Sequence, residues 1–264
     1  MGYHFDVDTA VSGADERWSA TLTDDWSIAS GVPNGGYLFA VALAAAGQVV
    51  PEQRLITATA HYVRPGQDGP AELAVETVKR GRLTSTIAVA LNQDGKERVR
   101  VVATYGDPAL QDAPVEHPIP APAIPSPDEC RSTPSELASA IGATIAERFD
   151  YRVLPASRWV GGEGPGEARV DGWIRFADGR EPDLAALPFF VDAFPPALGE
   201  LVGPVTVPTL ELTVHVRKQP APGWVQARIE ARHIAPGLVE EDAYLWDSTG
   251  ELVALSRQLG LWRP

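Results

Sequence analysis

Gly35-Gly36-Tyr37-Leu38-Phe39-Ala40-Val41-Ala42-Leu43-Ala44-Ala45-Ala46 is an uninterrupted run of helix formers behind two glycines. It carries no charge and is apolar on every face, so the helix it predicts is buried all round. Gly31-Val32-Pro33-Asn34, just before it, has the composition of a turn. Four segments after it read as strands: Ile56 to Arg64, rich in Thr, Val and Tyr, then Glu72 to Lys79, Thr84 to Asn92 and Arg98 to Tyr105, which show apolar alternation. Pro65-Gly66, Gly81 and Asp94-Gly95 separate them as turns. One buried helix followed by an antiparallel meander is an α+β arrangement.

The second half of the chain repeats that order. Trp173 to Phe176 reads as a strand, and Leu187 to Phe194 as the start of an apolar helix, with Pro188 tolerable in its first turn. Leu210 to Arg217, Trp224 to His233, Glu240 to Trp246 and Leu252 to Trp262 then read as strands. Tyr62-Val63-Arg64 corresponds to His215-Val216-Arg217, and the turn at Asp94-Gly95 to Asp247-Ser248-Thr249-Gly250. This is the pattern of an internal duplication. Between the halves, Gly106 to Pro134 holds eight prolines, a density that suits neither a sheet ladder nor a helix and predicts a semi-rigid linker running over the surface. The expected units are residues 1–107, a linker over 108–134, and residues 135–264, with Pro134 to Arg148 as a helical connector.

Composition narrows the function classes. Of 264 residues 44% are hydrophobic, enough for one large core or two modest ones, and the formal net charge of -13 disfavours broad binding to a phosphate backbone. A single cysteine, Cys130, rules out an internal disulfide framework and fits a reducing compartment. The N-terminal residues lack a signal-peptide pattern, and the most apolar stretch, Tyr37 to Val50, is too short to span a bilayer, so the expected location is the cytoplasm. The five histidines show no metal-ligand spacing, and there is neither a GxSxG elbow nor a Walker-type loop; no metal and no cofactor are expected.

Three patches then carry a resemblance. They are Gly35 to Ala40 together with Val63-Arg64-Pro65-Gly66; Phe190-Val191-Asp192-Ala193-Phe194 with Pro195-Pro196-Ala197-Leu198; and Pro208-Thr209-Leu210-Glu211 through Arg217 with Ser256-Arg257-Gln258-Leu259-Gly260. Together they resemble the double-hotdog acyl-CoA thioesterases of the bacterial thioesterase II type. The resemblance implies two tandem hotdog units, each a central helix wrapped by an antiparallel sheet, and hydrolysis of acyl-CoA thioesters in lipid metabolism. It also implies that Asp192, Thr209 and Gln258, all from the second unit, hold and activate a water. One departure stands out: where the bacterial enzyme usually has Gln after the glycine pair, this chain has Tyr37.

The residue types suit that chemistry. A carboxylate on a mostly apolar helix is partly desolvated, which raises its pKa toward usefulness as a base, and Thr and Gln can each donate and accept around one water. Gly35 and Gly36 let a carbonyl approach the free N–H groups of a helix start, so they, with Tyr37, are the expected acyl-binding residues. Lys79, Arg80 and Arg82, around Gly81, form a locally basic cluster in an acidic protein and are the candidates for the coenzyme A phosphates. Two other readings compete. A non-catalytic acyl-CoA binding module shares the fold, since function lives in the site. A hotdog hydratase or dehydratase is disfavoured because no His follows Asp192 at short distance. The exposed edges and outer face of such a sheet make homo-oligomers a further expectation.

Overall fold

A computed structural model describes residues 2–28, 31–112, 117–133 and 142–263. The chain begins with helix α1 (His4–Asp8), strands β1 (Ser12–Ala14) and β2 (Arg17–Leu22), and the short pair β3 (Ser27–Ile28) and β4 (Val32–Pro33). Helix α2 (Gly35–Gln48) follows, then β5 (Arg54–Tyr62), β6 (Gly69–Lys79), β7 (Thr84–Gln93) and β8 (Lys96–Gly106). The second half contains β9 (Arg131–Ser132), β10 (Phe149–Val153), β11 (Arg169–Phe176), the short helices α3 (Leu187–Phe190) and α4 (Gly199–Val202), β12 (Thr209–Val216), β13 (Val225–Ala235), β14 (Gly237–Trp246) and β15 (Leu252–Trp262).

Thirteen of these strands form one antiparallel sheet in the order β1-β2-β6-β7-β8-β5-β12-β15-β14-β13-β11-β10-β9. Outward from the β5–β12 seam the succession is β5, β8, β7, β6, β2 on one side and β12, β15, β14, β13, β11 on the other, the same chain order twice. At the seam Thr57 pairs with His215 and Thr59 with Thr213 in register, and the two threonine hydroxyls of the second pair lie 2.8 Å apart. Every strand expected from the sequence is present. β1 to β4, β9 and β10 were not anticipated; β9, inside the expected linker, pairs with β10 at the sheet edge, and Phe149–Val153 buries alternate residues as a half-buried strand does.

The helices depart from expectation in the second half. α2 is fourteen residues long and buried on nearly every side, as its sequence requires. Its counterpart α3 spans four residues, after which Pro195-Pro196 break the helical path and α4 restarts it at Gly199. Proline lacks an N–H and its ring clashes with the preceding turn, so the long apolar helix predicted from Leu187 onward is cut to two short pieces. Of the expected connector, residues 134–141 lie outside the described residues, and Thr144–Glu147 forms one 3-10 turn. Among the described residues no helix is long and apolar enough to cross a membrane.

A single principal core joins both halves. α2 packs against α3, and an aromatic cluster ties them: Trp26 and Phe149 each meet the Phe189 ring, with centroids 5.2 and 5.1 Å away. α1 crosses to the second half, where Phe5 meets Phe176 and Asp6 accepts a 2.7 Å bond from Arg180. The proline-rich segment lies against the opposite face of the sheet. Trp246, Gln226 and Trp173, cross-strand neighbours on β14, β13 and β11, donate to the carbonyls of Ile119, Pro122 and Pro125.

Candidate active site

The N-terminus of α2 and the turn after α3 meet. Asn34 caps α2: its Oδ1 accepts from Tyr37 N–H at 3.1 Å, while its Nδ2 donates to the backbone carbonyl of Asp192 at 3.1 Å. Gly36 N–H donates to Asp192 Oδ2 at 2.6 Å. The carboxylate therefore faces the positive end of a buried helix. Burial is nevertheless the larger influence and pushes the Asp192 carboxyl up from 3.8 to about 7, with the Gly36 and Asn34 bonds pulling the other way. The turn itself is pinned by Tyr151, whose hydroxyl donates to the Ala193 carbonyl at 2.7 Å.

Gly36 leaves no room for a side chain in this approach, and at Gly35 one would crowd it. A Cβ on Gly36 would lie 2.9 Å from the Phe189 ring and 3.0 Å from Asp192 Cβ. A Cβ on Gly35 would lie 3.1 Å from Asp192 Oδ2 and from the ring of Tyr62.

A second hydrogen-bonded chain runs through the strands. Thr209 Oγ1 donates to Gln258 Oε1 at 3.2 Å, and Gln258 Nε2 donates to Glu241 Oε1 at 2.7 Å. Glu241 Oε2 accepts from Ala197 N–H at 2.6 Å, on the segment that also carries Asp192. A bulge in β12 between Thr209 and Glu211 redirects the strand beside Thr209. Glu241 is buried, which raises its carboxyl from 4.5 to about 7, and the negative charge of Asp192 adds to the rise.

Asp192, Thr209 and Gln258 thus appear as two hydrogen-bonded pairs, Asp192 with Gly36 and Thr209 with Gln258. The Ala197–Glu241 bond and the electrostatic interaction of Glu241 with Asp192 connect them. α3 packs directly on β12 and β15, the strands that supply Thr209 and Gln258. Glu241 was missed from the sequence, yet a signal existed. It occupies the inward position in the alternation Val239, Glu241, Ala243, Leu245, where a carboxylate is out of place unless partnered.

The other expected residues are placed differently. Tyr37 is not exposed to an acyl group: its side chain is fully buried and stacks on Trp26. Its hydroxyl donates to Asp8 O and accepts from Thr23 N–H, and burial pushes its pKa up to about 12. The N–H groups of Gly36 and Tyr37, expected to face a substrate carbonyl, are given to Asp192 and Asn34. Lys79, Arg80 and Arg82 lie near the other end of α2, with Arg80 bonded to Val49 O and Glu52, and Gln53 bonded to the Gly81 and Arg82 carbonyls. A helix of this length separates them from Gly35 by about 20 Å. Away from the site, His4, Asp8 and Asp25 bring ligand-type atoms within 4.8 Å of one another. Two of these already serve the fold: Asp8 accepts from Trp26 Nε1, and Asp25 pairs with Arg148.

Comparison with known proteins bears on the family and the fold. Residues 22–106 match the acyl-CoA thioesterase N-terminal domain family, and residues 127–262 match the acyl-CoA thioesterase C-terminal domain family. A Thermobifida fusca protein described as a thioesterase II superimposes with a TM-score of 0.86 at 29% identity, covering 99% of this chain and 98% of that one. A hot dog fold protein from Alicyclobacillus acidocaldarius superimposes with a TM-score of 0.86 at 20% identity over the whole of both chains, which speaks to the fold alone. The thioesterase-like protein TwmA of Talaromyces wortmannii is 26% identical over 87% of this chain and 83% of its own length.

Proposed function

The chain belongs to the acyl-CoA thioesterase family and is a thioester hydrolase; from that premise we propose that it cleaves acyl-CoA with a water held by Asp192, Thr209 and Gln258. The observation that carries the assignment is the Asp192 carboxyl. It is anchored by Gly36 N–H at 2.6 Å and raised to about 7, where a carboxylate is an effective base near neutrality. Asp192 accepts a proton from the water as its oxygen bonds to the thioester carbonyl carbon. Thr209 and Gln258 orient that water by donating to it or accepting from it. The tetrahedral oxyanion then collapses, the C–S bond breaks, and the thiolate leaves with the proton returned from Asp192.

We read the two halves as two hotdog units whose sheets are continuous across the β5–β12 seam. The repeated strand order and the two separate domain matches support this. In that reading the site is composite: α2 of the first unit supplies the helix start, and the second unit supplies the carboxylate, hydroxyl and amide.

The test is hydrolysis of a panel of acyl-CoAs followed by detection of free thiol. Thiol release is expected, and Asp192→Asn should lower kcat by about 10²-fold or more, the usual contribution of a general base. An inactive wild type that still binds acyl-CoA would mark a binding module instead. Full rates in Asp192→Asn, Thr209→Ala and Gln258→Ala alike would overturn the assignment of the water to these residues.

A further inference from the structure

Stabilising a tetrahedral oxyanion needs a hydrogen-bond donor aimed at the carbonyl oxygen. The start of α2 is poorly supplied with free ones. Gly36 N–H is given to Asp192, Tyr37 N–H to the Asn34 side chain, and Leu38 N–H to the Asn34 carbonyl. At the same place stands a hydroxyl with no such engagement. Tyr62 ends β5, and its ring carbons Cε1 and Cζ lie 3.1 Å from where a Cβ on Gly35 would be. That same point is 3.1 Å from Asp192 Oδ2, so the phenol and the carboxylate flank the bare face of Gly35 together. The Tyr62 hydroxyl is sealed from solvent and has no hydrogen-bond partner among the described residues.

A buried polar atom without a partner is a liability to a folded protein, and native structures hold few. Phenylalanine would fill the same space without it. From this geometry we propose that the Tyr62 hydroxyl is a further catalytic group, donating its hydrogen bond to the carbonyl oxygen of the bound thioester and to the oxyanion that forms there. The proposal rests on the hydrolase reading of Asp192. Burial, with the negative charges of Asp192 and Glu211, holds the phenol proton in place well above its ordinary range. The group is therefore an O–H donor throughout the working pH range and never a competing anion. It also accounts for glycine at position 35, where any side chain would occupy the space between donor and base.

The experiment compares Tyr62→Phe with wild type in the acyl-CoA assay, in thermal melts and in ligand binding. kcat should fall about 10²–10³-fold with KM little changed, while the melting temperature stays level or rises. A residue with only a structural role would leave both kcat and the ketone preference intact, whatever the melting temperature does. In binding, a ketone analogue with CH2 in place of sulfur should outcompete a thioether analogue that lacks the carbonyl, and Tyr62→Phe should erase that preference. Tyr62→Met removes the same hydroxyl and serves if the Phe variant does not fold. Full kcat and an unchanged ketone preference would overturn the proposal. Asp192→Asn run alongside separates the two claims: full rate there sinks the hydrolase reading, whereas loss there with full rate in Tyr62→Phe sinks the tyrosine alone.

Discussion

Gly36 and Asp192 stand 156 residues apart in the chain and are joined by a 2.6 Å hydrogen bond from backbone N–H to carboxylate. The bond couples the buried helix of the first half to the broken helix of the second, and it tolerates no side chain at position 36. Gly36→Ala would push a methyl to 2.9 Å from the Phe189 ring and 3.0 Å from Asp192 Cβ, both in a packed core. Overpacking of this kind costs about 1–3 kcal/mol. The expected outcome is a lower melting temperature together with a loss of thiol release larger than the loss of folded protein explains. An alanine variant with wild-type melting and rate would show that the approach of the two segments is not tight.

The ionisation of Asp192 sets a sign for stability against pH. Its folded value is raised from 3.8 to about 7, so between those values the native state holds more protons than the unfolded chain. The stabilising contribution is complete below about 4 and is lost as pH rises through 7. Glu241, raised from 4.5 to about 7, acts in the same direction. Asp192→Asn can still accept from Gly36 through its amide oxygen and has no charge to desolvate. It should therefore match wild type near pH 4 and exceed it at pH 8, by a few kcal/mol at most. Activity should move oppositely, rising in wild type as pH climbs through about 7. Melting temperatures and thiol-release rates from pH 4 to 9 check both; a variant no more stable than wild type at pH 8 would contradict the raised value.

Much of this was legible in the sequence, and what was not has identifiable causes. The run from Tyr37 to Ala46 announced a buried helix because it has no polar face, and alternation announced the strands after it. The second helix was overextended because Leu187 to Phe194 is apolar but for Asp192 and the weight of Pro195-Pro196 falls only at its end. Asp192, Thr209 and Gln258 were singled out through resemblance alone, since each by itself is an ordinary turn or strand residue. Tyr37 was singled out by its adjacency to the glycine pair, which says nothing of direction. A helix turns about 100° per residue, and its hydroxyl is carried to Asp8 and Thr23 on the far side. Glu241 was missed although its inward position could be counted from Val239 and Leu245.

Glu241 decides which way the Gln258 amide points. With the carboxylate accepting from Nε2, Oε1 is left to face Thr209, and the Thr209 hydroxyl hydrogen is directed to it. In the proposed mechanism Thr209 then meets the water with its lone pairs. Glu241→Gln replaces two acceptor oxygens by one oxygen and one NH2, so it cannot accept from both Gln258 and Ala197. One bond fails, or Gln258 turns over and presents NH2 to Thr209. Either outcome should lower kcat at least tenfold with KM affected less, and the pH–rate profile should simplify. In wild type its midpoints belong jointly to Asp192 and Glu241; in the variant one ionisation remains. An unchanged rate with an unchanged profile would show that Glu241 serves folding alone.

The proline-rich segment should contribute stability without touching the chemistry. Trp246 and Gln226 lie on the sheet face opposite the core, yet they are only 2% and 5% exposed, because residues 117–133 run over them. The carbonyls of Ile119, Pro122 and Pro125 recur every third residue, the repeat of an extended proline helix, and accept at 2.8, 2.7 and 2.9 Å from side chains on three successive strands. Proline suits this role because its carbonyl remains available while its ring limits the freedom lost on docking. Gln226→Leu, Trp246→Phe and Trp173→Phe each remove one donor, and each should cost about 0.5–1.5 kcal/mol. The triple variant should be cut by proteases within residues 117–133 much faster than wild type, while kcat at a temperature where it remains folded is unchanged. Equal cleavage rates would mean that the strap is held by apolar contact rather than by these bonds. A reduced kcat would mean that the outer face communicates with Asp192 through β13 and β14.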